Sequence, residues 1–97
     1  MVKMNVISSV SNSVTYHCIK DTEALIFATG TQYTSSSTSY IRINGENIWS
    51  ASGTASINFF KQVELKAGDK IQISINIGSA GSNFGAIVGM LHNGGLY

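Results

Sequence analysis

Residues 70–77 read KIQISINI. Ile71, Ile73, Ile75 and Ile77 fall on one side of an extended chain, with Gln72, Ser74 and Asn76 on the other. Side chains of a strand alternate between faces with period two, whereas a helix would repeat its apolar residues every three or four positions. The run therefore predicts a half-buried strand of an antiparallel sheet, one face on a core and one in water.

The same period recurs on both sides of this run. In 13–19, Val14, Tyr16 and Cys18 alternate with Thr15 and His17; in 40–43, Ile41 and Ile43 oppose Tyr40 and Arg42. Residues 55–65 carry Ile57 and Phe59, then Val63 and Leu65, with an irregularity expected at Phe60-Lys61-Gln62. Residues 3–10 form a weaker strand. Between the runs lies turn chemistry. Asn44-Gly45 is a hairpin signal because both residues accept positive φ at low cost. Lys66-Ala67-Gly68-Asp69 reads as a second tight turn with Gly68 left-handed, and Lys20-Asp21-Thr22 as a third. There is no proline and no helical period. Strands at this spacing imply an all-β domain, a sandwich or a barrel, and 97 residues suit one domain spanning 1–97.

Two runs depart from the half-buried pattern. LIFA (25–28) and FGAIVGML (84–91) are apolar on both faces, and a strand of that kind must be covered twice. One face meets the core; the other is expected to lie against neighbouring subunits, the alternative being a central strand capped by a loop or terminus of its own chain. Gly85 and Gly89 share a face with Ile87 and Leu91 and would admit a close backbone. With Phe84, these five residues form the expected oligomer interface.

Composition narrows the partners. Charged residues are 11% of the chain against 43% hydrophobic, and the net charge is +1; ordinary domains carry about 25% charged residues. Lys3, Lys20, Arg42, Lys61, Lys66 and Lys70 are scattered, so the clustered cations that neutralise phosphates are missing and nucleic acid is not an expected partner. Low charge also weakens repulsion between copies. The N-terminal MVKMNVISSV has no sustained apolar run, so a secretory signal is not expected, and no segment approaches the roughly 18 apolar residues of a membrane span. Cys18 is the only cysteine, read as a small buried hydrophobe.

The strand order of motifs carries a resemblance. LIFATG (25–30) precedes a Ser/Thr loop, YIRING (40–45) enters the hairpin, VELKAGDKIQISI (63–75) closes on a lysine-rich turn, and FGAIVGML ends the series. Together, over roughly residues 13–91, this resembles the small jelly-roll domains of bacteriophage tail fibres and virion-surface fibres. More distantly it is similar to the trimeric complement C1q and tumour-necrosis-factor-like sandwiches. These motifs encode turns and strands rather than chemistry. The resemblance implies an antiparallel β-sandwich of jelly-roll type, a homotrimer about a threefold axis, contacts with other virion proteins, and a place on the virion surface after synthesis in the host cytoplasm. It brings no catalytic residues with it.

Catalysis has little to stand on. His17 and His92 are the two histidines, and no HExxH, GxSxG or CxxC motif is present. His17 is expected on a sheet surface and His92 exposed in a glycine-rich tail. Asp21, Glu23 and Asp69 would approach a cation site only if their turns meet at one end, and no calcium-loop spacing exists; no metal or cofactor is expected. A binding surface is the stronger prospect. Tyr33 and Tyr40 flank a loop of small hydroxyls, with Asn47 and Trp49 nearby in sequence. Aromatic faces with amide and hydroxyl partners are the means of holding a sugar ring, so these four residues are the candidate site for a host-surface glycan on a trimeric fibre or tail-tip protein. The alternative is a purely structural capsid-decoration or fibre-connecting protein without ligand, its loop polar filler and Trp49 a core or interface residue.

Overall fold

A computed structural model describes residues 3–9, 11–32, 37–76 and 86–96. They form eight strands: β1 (Lys3–Ser9), β2 (Ser11–His17), β3 (Thr22–Gln32), β4 (Thr38–Ile43), β5 (Glu46–Ser52), β6 (Ala55–Leu65), β7 (Lys70–Asn76) and β8 (Ala86–His92). Two antiparallel four-stranded sheets result, ordered β1-β8-β3-β6 and β2-β7-β4-β5, and they pack together as a β-sandwich. No helix long and apolar enough to cross a membrane is present among the described residues.

The pairings have an inner logic. β1 lies on β8, β2 on β7, β3 on β6 and β4 on β5. The chain behaves as one long double strand, folded back at the β4–β5 turn and rolled so that successive lengths alternate between sheets. The turn at its tip follows from Asn44 at φ 52° and Gly45 at φ 83°, the paired left-handed conformation that matches the twist of a two-residue hairpin.

Alternation delivers the core. Ile71, Ile73 and Ile75 of β7 are at most 1% exposed, and Ile73 meets Ile41 of β4 in register. The other sheet contributes Ala24, Ile26, Ala28, Ile57, Leu65, Val88 and Met90. Each large aliphatic so buried stabilises the fold by about 1.5–3 kcal/mol.

Two expectations change here. The pairing of β3 with β6 runs unbroken through Phe27↔Phe60, Ile26↔Lys61 and Leu25↔Gln62, so residues 60–62 hold no irregularity. Lys61 keeps its place on the inward side because β6 is an edge strand, where a long side chain reaches water past the rim. The irregularity lies in β5 instead: Ile41 pairs with Trp49 but Arg42 with Asn47, leaving Ile48 as the extra residue of a bulge. His92 is the second correction. It is buried, at 2% exposure, because position 92 continues the inward series of Val88 and Met90.

Candidate functional site

The outward face of the β1-β8-β3-β6 sheet is apolar across all four strands. Register aligns Val6, Gly89, Phe27 and Phe60 in one row, and Met4, Leu91, Leu25 and Gln62 in the next. Ile87 extends the patch along β8. Phe60 is 70% exposed, Met4 56%, Val6 48% and Ile87 42%. With side chains of roughly 150–250 Å² each, those four alone leave on the order of 400 Å² of apolar surface in water. Charge enters only at the margin, where Glu23 stands opposite Glu64 and Glu23 Oε2 accepts a 3.2 Å bond from Gln62 Nε2.

Gly89 does not serve the purpose expected of it. The ring of Phe27, on the adjacent strand, lies over it so closely that a Cβ there would overlap the ring. The gap in β8 is thus filled by the chain's own aromatic rather than left for another backbone. Ile87 and Leu91 do face outward beside it; Phe84 and Gly85 lie outside the described residues. The alternation of 3–7 and 55–65 could have identified Met4, Val6 and Phe60 as outward, but only strand order places them beside β8.

The outward face of the β2-β7-β4-β5 sheet is polar. Ser13, Thr15, His17, Gln72, Ser74, Tyr40 and Arg42 line it by register. The Arg42 guanidinium sits 3.8 Å above the Tyr40 ring, and Arg42 Nε donates to Asn47 Oδ1 at 2.6 Å. Tyr40 and Asn47 are therefore brought together through Arg42, a residue that the sugar-site reading omitted. Trp49 is not brought to them. It pairs with Ile41, turns to the core side and packs on Phe59, ring centres 5.8 Å apart at 41°. The bulge at Ile48 is what puts Asn47 and Trp49 on opposite sides. Tyr33 lies outside the described residues.

Turns meet at one end of the sandwich. Asp69 Oδ2 accepts from Lys66 N at 2.8 Å and its Oδ1 from Asn44 Nδ2 at 2.9 Å. Asp21 Oδ1 accepts from Ala67 N at 3.0 Å, with Lys66 Nζ 3.7 Å from Oδ2. Asn44 Oδ1 in turn accepts from Lys70 N at 2.9 Å. Those backbone and amide donors hold the Asp69 carboxyl below its ordinary value. Asp21 and Asp69 thus converge as caps of the 66–69 turn, while Glu23 turns to Gln62; among the described residues no three acidic, histidine or cysteine side chains share a cation site. An open groove of about 410 Å³ runs beside them, lined by Lys20, Asp21, Glu23, Glu64, Lys66 and Asn93 among others.

Two buried titratable groups lie behind this end. Cys18 is 3% exposed, its thiol bonded to Lys20 O at 2.9 Å, and burial pushes its pKa up. A protonated, enclosed thiol is a poor nucleophile. The His92 Nδ1 accepts from Gly94 N at 3.0 Å, so Nε2 carries the proton and donates to Asn5 Oδ1. Burial first, and the Lys3 cation second, lower the pKa of His92. Comparison of the chain with known protein families, curated proteins and solved structures returns no match.

Proposed function

We propose that this chain is a self-associating structural subunit of a virion-surface fibre, a jelly-roll sandwich that packs as a homotrimer and joins other virion proteins. The carrying observation is the continuous apolar face of Met4, Val6, Leu25, Phe27, Phe60, Ile87 and Leu91 on one sheet. Patches on soluble monomers rarely exceed a few hundred Å² unless they are functional. A stable interface buries about 800 Å² per partner, of which 56–65% is apolar, so a patch of about 400 Å² with its polar rim has the needed scale and composition. The edges point the same way. Lys61 on the inward side of β6 and the bulge in β5 discourage strand-to-strand addition at those two edges. The pairing of strand one with eight, two with seven, three with six and four with five supports the jelly-roll assignment.

The test is solution mass by light scattering at micromolar concentration. The expected result is three copies for the parent and one copy for the Met4→Lys/Phe60→Lys double variant, with the melt of the variant still cooperative. A monomeric parent overturns the reading.

Host-surface attachment is a second reading, favoured by the Tyr40–Arg42–Asn47 group on the opposite, polar face, where Asn47 is exposed and Tyr40 and Arg42 are half-buried. Copies joined through the apolar face would leave that group free on every subunit, where weak sites gain avidity by linkage. A glycan array separates the readings: binding that Asn47→Ala abolishes supports attachment, and a blank array leaves the structural role alone.

A further inference from the structure

We infer that His92 is an acid-sensitive latch that holds segment 93–96 closed over the end of the core. The segment is tied down at four places. Gly94 N donates to His92 Nδ1, Asn93 N reaches Thr22 Oγ1 at 3.4 Å, Ile19 N donates to Gly95 O at 2.8 Å, and Leu96 forms a bridge with Cys18. Leu96 is 3% exposed and belongs to the core, so the segment acts as a strap with a buried foot. Gly95 has no room to move inward, since a Cβ there would sit 3.0 Å from Thr22 and 3.1 Å from Lys20 O.

Both ring nitrogens of His92 are committed in a single tautomer. Nε2 donates to Asn5, which ties β8 to β1, and Nδ1 must stay bare to receive Gly94. Protonation puts a hydrogen on Nδ1, turns that acceptor into a donor, and sets two N–H groups against each other. It also creates a cation in a buried place beside another cation, because Lys3 is the register partner of His92 on β1. Among the described residues, no carboxylate of the neighbouring elements offsets this. On β3, Glu23 flanks the register partner Ala24 but is bonded to Gln62 on the outer face. In the 18–21 loop, Asp21 is taken by Ala67 N and Lys66 beside Lys20. The facing sheet turns Tyr16 and Cys18 inward, neither of them a carboxylate, and residues 93–96 have no charged side chain.

The direction follows from linkage. A histidine less basic in the closed state than in the open one stabilises the closed state above its ordinary pKa of 6.5. That contribution is lost as pH falls through the closed-state value. Acid therefore lifts the strap and uncovers Cys18.

Cys18 supplies the measurement. Its reaction with a pyridyl disulfide, which reports thiols in acid as well as at neutrality, is compared with that of a free thiol at each pH. Between about pH 7.5 and pH 5 protection of Cys18 should fall in the parent, with a limiting slope of about tenfold per pH unit, the response of one linked proton. His92→Asn, which keeps an acceptor for Gly94 and cannot titrate, should hold protection constant. An unchanged parent, or an equal fall in the variant, overturns the latch. Should His92→Asn fail to fold, amide exchange on the parent decides: loss of protection confined to 93–96 supports the latch, and loss shared by Ile73 in β7 refutes it as global unfolding.

Discussion

Along β8, β3 and β6 the outward positions carry Ile87, Leu91, Leu25, Phe27 and Phe60; along β7 and β4 they carry Gln72, Ser74, Tyr40 and Arg42. Both sheets contribute a mainly apolar inner face to one shared core, so the requirement of the core does not explain the difference. Outward residues are free of that requirement, and their chemistry reports what they meet. On one side it is water, with small hydroxyls and an Arg–Tyr stack. On the other it is an apolar surface that the single subunit leaves open, the surface that the proposed association would cover. The lesson is that in a sandwich the informative residues for function are those the core does not need.

The comparison can be broken most severely from within. Ile73→Asp places an unpaired carboxylate in the core that both sheets share and should cost more than about 4 kcal/mol; a cooperative melt near that of the parent would overturn the assignment of inner and outer sides. Next comes the apolar face. Phe60→Lys removes its most exposed aromatic and should weaken self-association by about 2 kcal/mol or more, measured by the dilution dependence of mass, while a substitution on the polar face such as Gln72→Lys leaves association unchanged. Equal effects from both would erase the distinction between the faces.

Smaller effects sharpen it. Gly89→Ala forces Phe27 off β8 and should destabilise the fold by about 1–3 kcal/mol in denaturant titrations, which would show that part of the apolar face is intramolecular packing. Tyr40→Ala removes a half-buried stacking partner of Arg42 and should cost no more than about 1 kcal/mol. The smallest effect belongs to the β6–β7 turn that joins the two sheets. Asp69 is more acidic folded than its ordinary value of 3.8, so its contribution is present above that value and lost as pH falls through the lowered one. Asp69→Asn should flatten the most acidic part of a stability-against-pH curve without changing association.

Much of this was readable in advance wherever a rule acts over a few residues. The KIQISINI alternation, the Asn44-Gly45 hairpin and the Gly68 turn, found at φ 96°, are local, and each stands where its chemistry placed it. The double-sided apolar character of 86–91 was legible too, with Val88 and Met90 inward and Ile87 and Leu91 outward. What failed was reasoning from proximity in sequence. Trp49 lies two residues from Asn47, yet the bulge at Ile48 turns it to the opposite side. His92 sits among glycines, yet the period of β8 carries it into the core.

By itself, then, the amino-acid sequence determined the all-β character, the inward and outward sides of most strands, and the tight turns, because these depend on backbone preferences and a two-residue period. Only the tertiary structure decided which strands lie side by side. That order assembled Met4 and Val6 of β1, Phe27 of β3 and Phe60 of β6 into one face with β8, and brought Asn5 to Nε2 of His92. Hydrogen bonds between strands are indifferent to side chains. Order is therefore settled by how the whole roll closes over its core, a condition that no short stretch of chain contains.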